Sequence, residues 1–282
     1  MKRSIYILFF VLFGFCLGSV FEYGKSAKEV SLGGASVSVP IDGYNAFNNP
    51  AFLASMNSSQ YGLSYFSMSQ DRNLNAFSVS RKISPDAGIA LSLFMASVDD
   101  IEETNLDNDV IGSLDYFEGL VSMSFALKKN RISIGANLNI YQNTLHTTNA
   151  DAIGIDLGLS YELNENINFG LTSKNIGAEY KWDSGNTEKI ENISEFGLSY
   201  LYKDKITFMC QMDKFGVEYD LSSIMTDNAF LRIGISNGPN FGFSYPFNLG
   251  NDLILSFDYA VDLGSENEGV SHLFSFSTLT FR

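Results

Sequence analysis

The sequence is poor in cysteine, proline, tryptophan, histidine and basic side chains. Its 282 residues include 2 Cys, 5 Pro, 1 Trp and 2 His, and 18 Lys and Arg stand against 32 Asp and Glu, a net charge of −14. Cys16 lies in an N-terminal apolar run, which leaves Cys210 alone; neither a disulfide framework nor a cysteine metal cluster is possible within the chain. On a strand a lone Cys is a small apolar residue. The acidity removes the basic footprint that phosphate recognition requires, so nucleic acid is not an expected partner. Beyond the N-terminus no run of twenty apolar residues occurs, which excludes a further spanning helix. His146 and His272 sit in no HExxH or nucleophile-elbow context. Ser271 precedes His272, but neighbours on a strand point to opposite faces. No catalytic residue, metal site or cofactor is expected. Scarce proline has a positive meaning: it leaves long stretches able to form paired strands.

What is there is alternation. Phe (24), Tyr (14) and Gly (24) are abundant, and from about Gln60 onward segments of roughly ten residues alternate apolar with polar side chains. In residues 151–163, Ile153, Ile155, Leu157 and Leu159 share one parity, while Asp156 and Ser160 fall on the other. Fourteen such segments are predicted as strands: 60–69, 73–82, 87–97, 114–127, 131–142, 151–162, 167–176, 192–202, 205–213, 215–221, 228–237, 240–247, 252–261 and 270–281. Lys2 and Arg3, the apolar run 5–15 and the small pair Gly18 and Ser19 read as an export signal cleaved near residue 19. An uncleaved anchor competes with that reading, and Phe15 before Cys16 makes a poor lipobox. The expectation is an all-β chain: a signal at 1–19, an N-terminal hatch at 20–59, and an antiparallel transmembrane β-barrel of about fourteen strands at 60–282. Its location is the cell outer membrane, with outer-membrane lipid as its solvent. A soluble sandwich with inward apolar faces is the alternative.

Connections after even-numbered segments are short and polar except 222–227, which has six residues; several after odd ones are long, 98–112, 143–150, 177–191 and 262–269, while three are brief. Short periplasmic turns and long outer loops are the usual asymmetry of such barrels. Residues 98–112 carry Asp99, Asp100, Glu102, Glu103, Asp107 and Asp109 without a basic residue, and are expected to be extracellular and mobile. The polar parity supplies candidates for the lumen: Glu118, Asp156, Lys174, Glu218, Arg232 and Asp258. On the lipid side a charge costs up to ~2–4 kcal/mol at mid-depth. Trp182 is a surface or interfacial aromatic, and Tyr141, Tyr161, Tyr200, Tyr202 and Tyr259 near strand ends suggest aromatic girdles.

Residues 31–54, SLGGASVSVPIDGYNAFNNPAFLA, contain a Leu-Gly-Gly-Ala box, an Asp-Gly turn and Asn49-Pro50-Ala51 followed by Leu53. This resembles the N-terminal signature of the FadL-like superfamily, and in particular the PorV/PorQ family. Residues 169–177, 257–263 and 269–276 resemble that family too; Phe52 departs from it, where glycine is usual. The resemblance implies a hatch with a short strand between the two boxes, lodged in the lumen, with Gly33, Gly34, Asn49, Pro50, Ala51 and Phe52 as hatch or gate candidates. Glycine permits torsions and close approach that other residues resist, and Pro50 can open a short helix. The resemblance implies two non-enzymatic roles. One is passage of small hydrophobic molecules. The other is a scaffold or shuttle for secretion-system proteins in type IX secretion.

Overall fold

The computed structural model describes residues 23–68, 72–104, 109–222, 229–250, 253–264 and 269–280. The expected signal with Cys16, and the terminal Phe281 and Arg282, lie outside the described residues. Among the described residues, sixteen strands follow three short helical pieces: β1 (Ser59–Ser67), β2 (Arg72–Ile83), β3 (Ala87–Thr104), β4 (Val110–Lys129), β5 (Ile132–Leu145), β6 (Thr148–Glu162), β7 (Ile167–Ile176), β8 (Glu179–Trp182), β9 (Thr187–Lys189), β10 (Ile193–Tyr202), β11 (Ile206–Gln211), β12 (Lys214–Asp220), β13 (Phe230–Ile235), β14 (Pro239–Asn248), β15 (Leu253–Asp262) and β16 (Ser271–Thr280). Fourteen of them form one closed antiparallel barrel in which sequence neighbours pair, and β1 meets β16 to close the ring. These are the fourteen predicted segments. The hairpin β8–β9 is the addition; it extends the sheet edge on β6 where β7 ends, through Ala150↔Trp182 and Asp151↔Lys181. Asn175, in the left-handed region at φ 61°, marks the irregularity where β7 leaves the ladder.

The period-two pattern decides which way each side chain faces. Ile153 (65 % exposed), Ile155 and Leu157 (50 %) point outward on β6, with Leu159 half-exposed in line. Leu91, Met123, Ile134, Phe196 and Ile233 continue an apolar exterior around other strands. The inward parity carries small and polar residues, among them Ser64, Ser78, Ser92, Asn137, Ser160 and Ser275, all buried. A small inner lining leaves room inside, and the N-terminal segment fills it. Helix α1 (Ala27–Ser31) and helix α2 (Asn45–Asn48) share a cluster with inward Phe66, Phe94 and Leu273, and a 3-10 helix (Pro50–Ser55) packs with inward Ala90 and Ala126. The core therefore lies between the plug and the inner wall.

Several expectations change. No strand joins the two boxes of the N-terminal segment; residues 32–44 run through turns. The long connections are shorter than expected because strands continue into them. β3 reaches Thr104 and β4 begins at Val110, so most of 98–112 is hairpin, while 105–108 lie outside the described residues. Residues 143–150 reduce to a tight turn with His146 at φ 53°. Residues 177–191 contain β8 and β9. Tyr141 is not a girdle residue: it shares inward parity with Asn137 and Asn139 and is 0 % exposed. Tyr161, Tyr200 and Tyr202 are exposed as expected. Cys210 faces outward on β11, and Ser271 and His272 point to opposite sides.

Candidate functional site

The plug divides the interior. Above it, at the end carrying the longer connections, lies a cavity of about 880 Å³ lined in part by Tyr23, Val30, Gly33, Tyr116, Glu118 and Tyr180. Below it lies a second of about 590 Å³ that touches Val39, Pro40, Phe52, Met56 and Gln60. The hatch backbone is seated on wall glycines. A Cβ on Gly158 would stand 2.3 Å from Asn49 Oδ1, and one on Gly234 would stand 2.0 Å from the Gly33 nitrogen. Both distances are impossible for a side-chain carbon, so the contact depends on glycine. Gly33 itself has φ 64° and would collide with Ile235 if it carried a Cβ.

Polar groups fix the plug at both ends. Ser26 caps α1 by accepting from the Glu29 N–H at 3.1 Å. Asn49 caps the 3-10 helix: its Oδ1 accepts from the Ala51 N–H at 3.1 Å, and Pro50 opens the helix. The Asn49 amide donates to the Val37 carbonyl at 2.9 Å and to the Leu159 carbonyl on β6 at 3.1 Å. On the wall, Gln211 Oε1 accepts from the N–H groups of Ser36 and Val37, each at 2.9 Å. Gln60 Oε1 accepts from Gly43 at 3.0 Å and Asn45 at 3.2 Å. Asn137 donates to the Ala46 carbonyl at 2.8 Å. Backbone groups without helix or strand partners thus find side-chain amides. Gln60, Gln211 and Asn137 carry inward parity as their only signal in the sequence, because a neutral amide has no charge to mark it.

The six lumen candidates separate into groups. Glu218, Arg232 and Asp258 cluster beside α1. Arg232 Nε lies 2.5 Å from Glu218, its Nη1 lies 3.2 Å from Asp258, and Ser244 also donates to Asp258. Lys28 of α1 reaches Glu218 at 3.6 Å, an ionic tie between plug and wall. Asp156 accepts from Asn137 Nδ2 and from the Asn175 N–H, both at 2.9 Å. Through Asn137 it is one step from the plug. Lys174 is half-buried beside the β7 irregularity and has no part in these groups. Glu118 alone of the six lines the upper cavity. It accepts from Tyr116 at 2.9 Å and from Tyr180 of β8 at 2.8 Å. Burial, and next the Glu118 carboxylate, push the Tyr180 phenol well above its ordinary range and keep it a donor. Of the hatch candidates, Gly33 and Gly34 border the upper cavity and Phe52 the lower. Asn49, Pro50 and Ala51 are buried between plug and wall.

No family model and no curated protein matches the sequence. Solved structures do match. The P. putida toluene transporter TodX superposes with a TM-score of 0.68 at 13 % identity, covering 92 % of this chain and 99 % of that one. The fold is that of the FadL-like barrels. The Ralstonia pickettii toluene transporter TbuX gives 0.64 at 12 % identity, covering 92 % and 99 %. A Pseudomonas aeruginosa FadL homologue gives 0.60 at 12 %, covering 92 % and 98 %. The FadL-like fold accounts for both the wall and the plug it encloses.

Proposed function

We propose that this chain is a non-enzymatic outer-membrane barrel that passes small hydrophobic molecules, with the N-terminal plug as its gate. The observation that carries the reading is the plug standing between two cavities inside a wall whose exterior is apolar. An outward apolar surface suits lipid, and irregular backbone at that depth is tolerated only when enclosed by protein, as residues 32–44 are. The similar folds of two toluene transporters and a FadL homologue support the same reading. In this orientation the upper cavity opens outside and the lower one faces the periplasm.

The close seating of the plug on wall glycines favours a second reading, a sealed barrel that serves as a scaffold. The PorV/PorQ-like boxes point the same way, toward type IX secretion with secretion-system proteins as partners. Deleting residues 45–54 separates the two. As a transporter, the protein reconstituted in lipid vesicles gains permeability to toluene-sized hydrocarbons on deletion, while heat-modifiable migration shows the barrel intact. Unchanged permeability together with impaired cargo export favours the scaffold.

A further inference from the structure

We infer that the upper cavity selects hydrophobic molecules that carry a protonated amine. The inference rests on the transport reading and adds a preference for the head group. Glu118 lines the cavity at 5 % exposure, and its carboxylate receives the hydroxyls of Tyr116 and Tyr180. Lys25 exerts a field there, but its Nζ donates to the Tyr23 carbonyl and lies 4.3 Å from the Phe94 ring centroid. A buried carboxylate held by hydroxyls gains from an incoming cation. Beside it, Asn143 is 6 % exposed and donates to the Tyr116 hydroxyl at 3.3 Å, while its own Oδ1 has no hydrogen-bond partner. An ammonium brings three donors and no acceptor. It matches a carboxylate and an unpartnered amide oxygen, in a cavity that two tyrosines also line. A carboxylate head meets Glu118 as a like charge. The rest of the lining agrees: five carboxylates face three basic side chains, one of which, Lys214, is already paired with Glu195 at 2.8 Å. Val30, Met68, Leu74 and Ile190 offer apolar surface for the body of the molecule.

The test compares one scaffold with three heads: 4-phenylbutylamine, butylbenzene and 4-phenylbutyrate. Equilibrium dialysis against the purified full chain in detergent measures affinity. Trp182, the single tryptophan, lies tilted with its ring centroid 6.1 Å from that of Tyr180 and reports occupancy by fluorescence. The amine is expected to bind about tenfold more tightly than butylbenzene, and the carboxylate more weakly than either. Glu118→Gln should bring the ratio of amine to hydrocarbon affinity to about one. Tyr180→Phe, which removes a hydroxyl from outside the barrel ring, should lower that ratio in part and serves if the Glu118 variant does not assemble. Equal affinities in the wild type, or a ratio that both variants preserve, overturns the inference. Butylbenzene uptake into vesicles without an amine preference overturns the inference and leaves transport standing. Absence of butylbenzene uptake overturns transport whatever the dialysis shows.

Discussion

The two halves of the plug share neutral hydrogen bonds to the wall, and only the first adds an ionic tie. The first half, around α1, rests on the side of the barrel where the wall is short: Ser31, Leu32 and Gly33 approach Gly242, Gly216 and Gly234 on β14, β12 and β13. There β11 to β13 have only 6 or 7 residues each, roughly 20 Å of wall. Beside neutral bonds from the Ala27 N–H to Ser275 Oγ at 2.7 Å and from Ser64 Oγ to the Lys25 carbonyl at 2.6 Å, it carries an ionic tie from Lys28 to Glu218 and on to Arg232 and Asp258. The second half rests on the tall side, where β3 and β4 run for 18 and 20 residues, roughly 60 Å. Leu53, Pro50 and Asn49 approach Gly88, Gly135 and Gly158 on β3, β5 and β6. Its ties are neutral amide-to-carbonyl bonds, and it continues directly into β1. The difference gives the first half one fastening that is sensitive to salt. An ion pair with partly exposed members weakens with salt, whereas buried amide bonds do not. If the plug is a gate, as proposed, the salt-sensitive tie makes its first half the one expected to release.

Four substitutions break or sharpen that contrast. Arg232→Met leaves Glu218 and Asp258 buried without their guanidinium and should cost about 3–5 kcal/mol, read by denaturant unfolding in detergent. Protease should then reach residues 23–34 before residues 45–55; simultaneous cleavage of both would erase the contrast. Leu157→Arg alters only the exterior, and should cost roughly 2–4 kcal/mol of folding into lipid vesicles without changing protection of either half in the molecules that fold. If it costs nothing in lipid, the exterior is not a lipid surface. Asn49→Ala removes a cap and two bonds to buried carbonyls, and about 1–3 kcal/mol is expected. Here cleavage should open at 45–55, with 23–34 still protected. Lys28→Met should change stability by less than about 1 kcal/mol, since the pair is partly exposed. It should nonetheless raise hydrocarbon permeability, and high salt should do the same to the wild type. A salt-independent permeability would show that the ionic fastening has no part in gating.

The wall was legible because alternation is a local property: each strand announces its own two faces, and all fourteen could be placed from it. What alternation does not encode is where a strand stops once it leaves the apolar belt. β3 and β4 continue through Glu102, Glu103 and Gly112, which are largely open to solvent and carry no two-faced signal. The hairpin β8–β9 escaped for the same reason, with Thr187, Glu188 and Lys189 all exposed. Tyr141 misled because tyrosine suits a girdle and a lumen equally, and only its parity with Asn139 distinguished them. The plug was legible through its Gly-Gly and Asn-Pro boxes. Its seats were not, because a glycine such as Gly158 reads as merely small until its neighbour across the lumen is known. Glu118 was visible as a charge. Tyr180, its partner from outside the ring, comes close only through the hairpin that the sequence concealed.

The seam between β1 and β16 also sets an order of events. It joins the first strand of the ring to the last, as in Tyr65↔Phe274, so the ring cannot close until nearly the whole chain has arrived. The plug precedes β1 and is ringed by wall on every flank, with its seats on strands from β3 to β14. Those seats come together around it only when the seam holds the ring shut.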